Sequence, residues 1–164
     1  MATIYYLEMR SAKQKRVRAL PPGVWVKQIR PPEPVLNAWF YQQVGKAWQW
    51  TDRLSWNDKQ WQEYAAREEL LTFVGYQHDQ AIGYFELERQ PPGDVQLAYF
   101  GLLPNSIGQG LGAGFLSSAV ERAWALPDTQ RVWVHTCSDD HPNALDNYRK
   151  RGFQQFALRT ETDD

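Results

Sequence analysis

The sequence predicts an α/β chain of the α+β type, with one twisted, mixed but mostly antiparallel sheet of about six to seven strands and about four helices. Three observations carry this. The run Val95 to Leu103 is apolar at nearly every position beyond Gln96, as a central strand requires. It passes through Ile107-Gly108-Gln109-Gly110-Leu111-Gly112-Ala113-Gly114 into a helical stretch, Gln109 to Leu126, and then into the Val-rich strand Arg131 to Cys137; if the two strands pair, this is a parallel right-handed crossover. The short runs Leu71 to Gln77 and Ala81 to Glu88, joined by His78-Asp79-Gln80, instead have the spacing of a hairpin.

The remaining elements follow in chain order. Thr3 to Met9 alternates as a strand does, and Ser11 to Ala19 is a polar, basic connection. Val24 to Ile29 is a strand bounded by Pro21-Pro22-Gly23 and Pro31-Pro32. Pro34 to Val44 is a helix with Val35, Ala38, Trp39 and Gln42 on one face and Gly45 as its stop. Asn57 to Leu70 is a second helix, capped by Asn57, with Trp61, Tyr64, Ala65 and Glu68 at helical spacing. Pro91-Pro92-Gly93-Asp94 breaks the chain before the central strand. The helix after the glycines presents Leu111, Phe115, Ala119, Val120, Ala123 and Leu126 on one face. Asp139-Asp140-His141-Pro142 starts another helix, which runs to about Arg151 and stops at Gly152. Phe153 to Thr160 is the last strand.

Length and composition bound the function. A chain of 164 residues, 43% hydrophobic and 23% charged, suits a single domain spanning 1–164. Its 18 basic and 19 acidic residues leave a net charge of −1, so no global field recruits nucleic acid or an anionic membrane. The basic run Lys13 to Arg18 reads as a solvated loop. Cys137 is the only cysteine, which permits no internal disulfide and suits a reducing compartment. No apolar stretch approaches the ~18 residues of a membrane span, and the first residues lack the basic and apolar regions of a signal peptide. A soluble, cytoplasmic protein is the expectation.

The glycine-rich turn is the first chemical signal. A helix N-terminus presents unpaired N–H groups and the positive end of its dipole, and residues without Cβ let an anion approach them. No charged side chain lies between Val95 and Val120, so a phosphate here would rest on backbone dipoles rather than on a lysine of the segment. The same glycines would also serve a tight turn with close helix packing.

The turn in its strand-turn-helix setting, followed after another strand by Ala144-x-x-x-Tyr148-x-x-x-Gly152-Phe153, resembles the GNAT superfamily of N-acetyltransferases. The likeness extends over about residues 24 to 160 and is specific in 95 to 153. It implies the GNAT fold, with a parallel strand pair splayed at a cofactor cleft, and acetyl-CoA as cosubstrate without a metal. It implies direct transfer of acetyl to a small-molecule or peptide amine. In that family the turn follows Arg/Gln-x-x-Gly-x-Gly/Ala; here these places hold Ile107, Gly110 and Gly112, so one polar contact is replaced by an aliphatic side chain. The resemblance assigns Gly108, Gln109, Gly110, Leu111, Gly112 and Ala113 to the pyrophosphate, and backbone groups of Gly101, Leu102 and Leu103 to the pantetheine and thioester. His141 or Asn143 stands for the asparagine that often contacts pantetheine.

The same resemblance makes Tyr148 the expected acid for the leaving thiolate, a role a phenol can fill because its ordinary pKa of ~10 keeps it protonated at neutral pH; alternatively it packs the helix on the sheet. Relatives often carry a glutamate where Gln96 stands, and an amide accepts no proton. Glu86 is the substitute base, with Glu88 on the same strand face; the alternative for both is a solvated strand edge. Five of the eight tryptophans, Trp39, Trp48, Trp50, Trp56 and Trp61, fall within 23 residues. By resemblance this region forms the lip of the acceptor pocket, where aromatic walls with Asp52 and Arg53 suit an amphipathic or amino-acid-like amine, although core packing is the expected role of most of the five.

Two other classes compete. An acyl-CoA-binding sensor without catalysis fits the loss of the carboxylate at Gln96. A dinucleotide-binding oxidoreductase is suggested by Gly108-x-Gly110-x-x-Ala113, but Gln130 to Cys137 lacks the acidic residue it needs. His78, His135 and Cys137 match no zinc spacing, so no metal site is expected. Only Phe153 to Asp164 follow the last motif, too few for the usual terminal hairpin; the strand Thr3 to Met9 is expected to fill the vacant place in cis or from a second subunit, which makes a homodimer possible.

Overall fold

A computed structural model describes residues 2–161. Seven strands form one sheet in the order β2-β3-β4-β5-β6-β1-β7. They are β1 (Thr3–Met9), β2 (Val24–Gln28), β3 (Leu70–Gln77), β4 (Gln80–Gln90), β5 (Asp94–Leu102), β6 (Arg131–Cys137) and β7 (Gln154–Thr160). The four helices are α1 (Pro34–Gly45), α2 (Asp58–Ala65), α3 (Gly112–Ala125) and α4 (Ala144–Lys150). Every strand pair is antiparallel except β5 with β6.

Strand alternation sorts the two layers. Phe73, Phe85 and Leu97 point to the face covered by α3 and α4, where Phe115, Ala119, Val120, Tyr148 and Phe153 complete the main core. Val74 and Tyr84, one residue away from Phe73 and Phe85, point to the opposite face and meet Phe40 and Val44 of α1. Phe40 stacks on Tyr84 with centroids 5.0 Å apart.

β1 inserts between β6 and β7, with Leu7 opposite Val134 on one side and Tyr6 opposite Ala157 on the other. The N-terminal strand thus fills the open sheet position in cis, and no second copy is needed to complete it. The connection after β1 docks against the end of α4: the Arg16 N–H donates to the Arg151 carbonyl at 2.9 Å. Gly152 adopts φ +111°, and a Cβ there would collide with the Gln14 carbonyl oxygen. Both demands explain the glycine after the helix.

Several sequence expectations shift. The buried face of α1 is Asn37, Phe40, Tyr41 and Val44, while Val35 is 79% and Trp39 44% exposed. Asn37, a polar residue, turns inward because its amide donates to Thr72 Oγ1 at 2.9 Å and to Glu86 at 2.7 Å. Such remote partners leave no periodic trace. Asn57 caps α2 in a reciprocal box with Gln60, both bonds 2.9 Å, but α2 ends at Ala65, so Glu68 lies beyond it. α3 starts at Gly112 rather than Gln109, because Gly108 and Gly110 sit at φ +80° and +75°, outside helical geometry.

Candidate active site

β5 and β6 pair only through Asp94, Val95 and Gln96 opposite Arg131, Val132 and Trp133. Beyond Gln96 the strands part, so the β5 backbone from Leu97 to Leu102 has no ladder partner on that side. A bulge adds to the divergence: Glu86 pairs with Tyr99 and Leu87 with Leu97, leaving Ala98 as the extra residue. The resulting cleft has a volume of about 830 Å³ and is lined from β5 by Leu97 to Leu102 and from β6 by Val134, His135 and Cys137. This size suits a bound small molecule.

At one end lies the glycine-rich turn. Gly108, Gly110, Leu111, Gly112 and Ala113 line the cleft. A Cβ added to Gly108 or Gly110 would meet nothing within 4 Å, so these glycines answer a need for positive φ beside open space. The helix accepts its first backbone bond at Leu111, from Phe115, and Leu111 has no side-chain cap to offer. The N–H groups of the first turn therefore remain available to an anion.

Tertiary structure adds charge that the 95–120 segment lacks. Arg18, Lys150 and Arg151 line the same cleft. The Arg18 N–H donates to Ser117 Oγ of α3 at 2.8 Å, which brings the basic connection onto the helix. Arg151 is buried, with Nε and Nη1 lacking any hydrogen-bond partner. Burial and the neighbouring Arg18 hold its pKa below the ordinary value. Lys13 to Arg18 is thus only partly the solvated loop its composition suggests.

Tyr148 lines the cleft and is 6% exposed, set between Phe100 and Phe153. Burial, and then the charge of Asp140, push its hydroxyl well above the ordinary phenol value. It is both core residue and cleft wall. His141 and Asn143 also line the cleft. His141 Nδ1 accepts the Asn143 N–H at 3.0 Å, and its ring meets Trp48 edge-on at 5.0 Å.

Leu102 reaches the cleft, whereas Leu103 and Gln109 do not line it. The Leu103 N–H donates to the Ile82 carbonyl at 2.7 Å and its side chain packs with the α1 cluster. The Gln109 side chain turns back to the Asn105 carbonyl at 2.6 Å.

Glu86 also lies outside the cleft lining, and it is no solvated edge residue. It is 1% exposed, with one carboxylate oxygen accepting from the Tyr64 hydroxyl and the other from Asn37. Burial holds its pKa above the usual carboxylate range against the hydrogen bonds of Tyr64 and Asn37. Glu88 is occupied by Arg67 at 2.8 Å. Strand period placed both carboxylates on one face; what covers that face was not readable from β4 itself.

The segment between α1 and α2 folds over the opening. Of the five clustered tryptophans only Trp61 is fully buried; Trp48 and Trp50 line the cleft. Arg53 rests among Trp56, Tyr64 and Tyr99, its guanidinium carbon 4.5, 4.0 and 4.6 Å from their ring centroids. Burial opposes its charge, but Tyr64, Tyr99 and Glu86 together raise its pKa. Tyr99 is itself pushed up to about 12 by burial.

His135, which in sequence stands out only as a poor metal-ligand candidate, lines the cleft. It faces Tyr6 at 5.8 Å and Trp133 at 6.1 Å between ring centroids. Desolvation lowers its pKa, against the pull of Asp140. A neutral imidazole therefore borders the cleft. Among the described residues no three His, Cys, Asp or Glu side chains converge as metal ligands. No helix among them is long and apolar enough to cross a membrane.

The model of the acetyltransferase (GNAT) family matches residues 35–153. Solved structures share the fold. A GCN5-related N-acetyltransferase from Kribbella flavida is 19% identical with a TM-score of 0.68, covering 95% of this chain and 55% of its own. One from Sphaerobacter thermophilus is 15% identical with a TM-score of 0.71, covering 96% and 49%. An aminoglycoside acetyltransferase from an uncultured soil metagenomic sample is 14% identical with a TM-score of 0.65, covering 86% and 98%. The chain thus spans about half the length of the first two and nearly all of the third.

Proposed function

Since the chain belongs to the acetyltransferase (GNAT) family, we propose that it transfers an acetyl group from acetyl-CoA to a primary amine by direct attack within a ternary complex. The carrying observation is one continuous cleft that joins the free N–H groups of the α3 N-terminus, the unpaired edge of β5 and Tyr148. These donors fit an acyl-CoA: open space over Gly108 and Gly110 admits a pyrophosphate, and the strand edge admits an amide-bearing arm. When bound, acetyl-CoA supplies the thioester carbonyl that the amine attacks.

In this reading Gly108, Gly110, Gly112 and Ala113 hold the pyrophosphate, with Arg18 and Arg151 adding charge. Leu102, His141 and Asn143 border the arm. Tyr148, whose raised pKa keeps its proton through neutral pH, donates it to the departing sulfur. His135, neutral at pH 7, takes the proton of the attacking amine. This replaces Glu86, whose two oxygens are already engaged away from the cleft. Glu86 instead fastens α1 and α2 to the sheet through Asn37 and Tyr64.

The test is CoA release from acetyl-CoA over a broad panel of amines, with Tyr148→Phe as control. Turnover that collapses in the variant supports the reading. Tight CoA binding without turnover for any amine assigns the chain to acyl-CoA sensing instead.

A further inference from the structure

Arg53 is a cation without an anion. Three aromatic faces hold its guanidinium at 4.0 to 4.6 Å, and its backbone N–H is pinned to the Tyr41 hydroxyl at 3.0 Å. Among the described residues Arg53 enters no ion pair, and its buried Nη1 has no hydrogen-bond partner. Glu86, the carboxylate whose charge reaches it, has both oxygens occupied by Tyr64 and Asn37. A half-buried guanidinium is a planar fork of five donors, and stacked on rings it keeps that fork in a fixed orientation. The Tyr64 hydroxyl engages part of that fork, but no anion pairs with it and Nη1 has no acceptor, so it is a site prepared for one.

Its place says which one. Arg53 does not itself line the cleft, but Asp52, the preceding residue, and Tyr41 and Tyr99, which touch it, do, so the guanidinium stands directly behind the cleft wall. Tyr99 belongs to the unpaired stretch of β5, where the reacting amine must lie. An anion on Arg53 would therefore belong to the acceptor rather than to the acyl carrier, whose phosphates lie at the α3 end.

We propose that Arg53 receives a carboxylate of the acceptor, so that the amine acetylated belongs to an amino acid or a similar small molecule bearing both groups. This rests on the N-acetyltransferase reading above. A planar carboxylate matches the guanidinium fork two bonds at a time, while the fixed positive charge repels polycationic acceptors.

The experiment measures product binding, which needs no turnover. N-acetylglycine, N-acetyl-L-leucine and N-acetyl-L-phenylalanine are titrated into the full chain, with and without CoA, and followed by tryptophan fluorescence. Each is compared with the N-acetyl amine lacking its carboxylate, and N-acetylspermidine serves as the polycation. At least one carboxylated ligand should bind about tenfold or more tighter than its partner. Arg53→Gln should erase that ratio, and Arg53→Lys should restore part of it. Equal binding within all three pairs, a ratio that survives Arg53→Gln, or preference for N-acetylspermidine overturns the assignment. Calorimetric titration with CoA alone judges the cleft separately, so failure there sinks the acetyltransferase reading without deciding Arg53.

Discussion

The indole N–H of Trp50 donates to Asp140 Oδ1 at 3.0 Å, joining the segment after α1 to the end of β6 across the mouth of the cleft. The other oxygen of Asp140 accepts from Thr136 Oγ1 at 2.6 Å and from the Cys137 N–H at 2.9 Å. One carboxylate thus ends β6 and holds the cover in place.

Asp140→Ala removes three acceptor contacts at once and should destabilise the fold by about 2–4 kcal/mol in urea unfolding. Trp50→Phe removes only the cover's bond. It should cost about 1 kcal/mol and raise the KM for acetyl-CoA several-fold with kcat little changed. A KM unaffected by Trp50→Phe would show that the cover plays no part in binding.

Tyr148→Phe keeps the ring between Phe100 and Phe153 and deletes only the proton donor. We expect kcat to fall by about 10²-fold or more while CoA affinity holds. Because the hydroxyl titrates above its ordinary value, wild-type kcat should show no alkaline loss from this group up to at least about pH 10. Stopped-flow CoA release across pH tests both.

His135 should leave its mark at the acid end. Its pKa lies below the ordinary ~6.5, so the neutral, proton-accepting form persists to lower pH and activity declines as pH falls through the lowered value. His135→Gln should reduce kcat/KM by about 10²-fold and abolish that limb. A variant that keeps the limb would assign it elsewhere.

Glu86 ties pH to stability. Its folded pKa is raised, so between ~4.3 and that raised value the native state binds more protons than the unfolded chain, and stability falls as pH rises through the window. Glu86→Gln deletes this slope. Denaturant midpoints from about pH 4 to 8 should show the variant gaining on wild type as pH rises through the window, then running parallel to it. An unchanged slope would mean the group does not titrate there.

Gly110→Ala and Gly110→Asp separate strain from charge at the turn. Neither Cβ meets an obstacle, so the alanine costs only the positive-φ strain, about 1–2 kcal/mol. The aspartate adds a negative charge where N–H groups converge and should weaken CoA binding more than about tenfold beyond the alanine, by calorimetry.

By itself the sequence determined the order of strands and helices and the strand bounds closely, because alternation, glycine and proline act locally, but it ran α2 past Ala65 and started α3 and α4 before Gly112 and Ala144. It also singled out the glycine turn and Tyr148, whose pattern lies within one stretch of chain. It missed the inward face of α1, since Asn37 is buried by Thr72 and Glu86 from distant strands. The place of β1 between β6 and β7, the arrival of Arg18 and Arg151 in the cleft, and the sealing of Glu86 were decided only by tertiary structure. Each depends on which segments pack together, and a buried charge or hydrogen bond has no period along the chain. Gln96 stands in sequence at the family's place for a base, whereas the access of His135 to the cleft depends on the parting of β5 and β6.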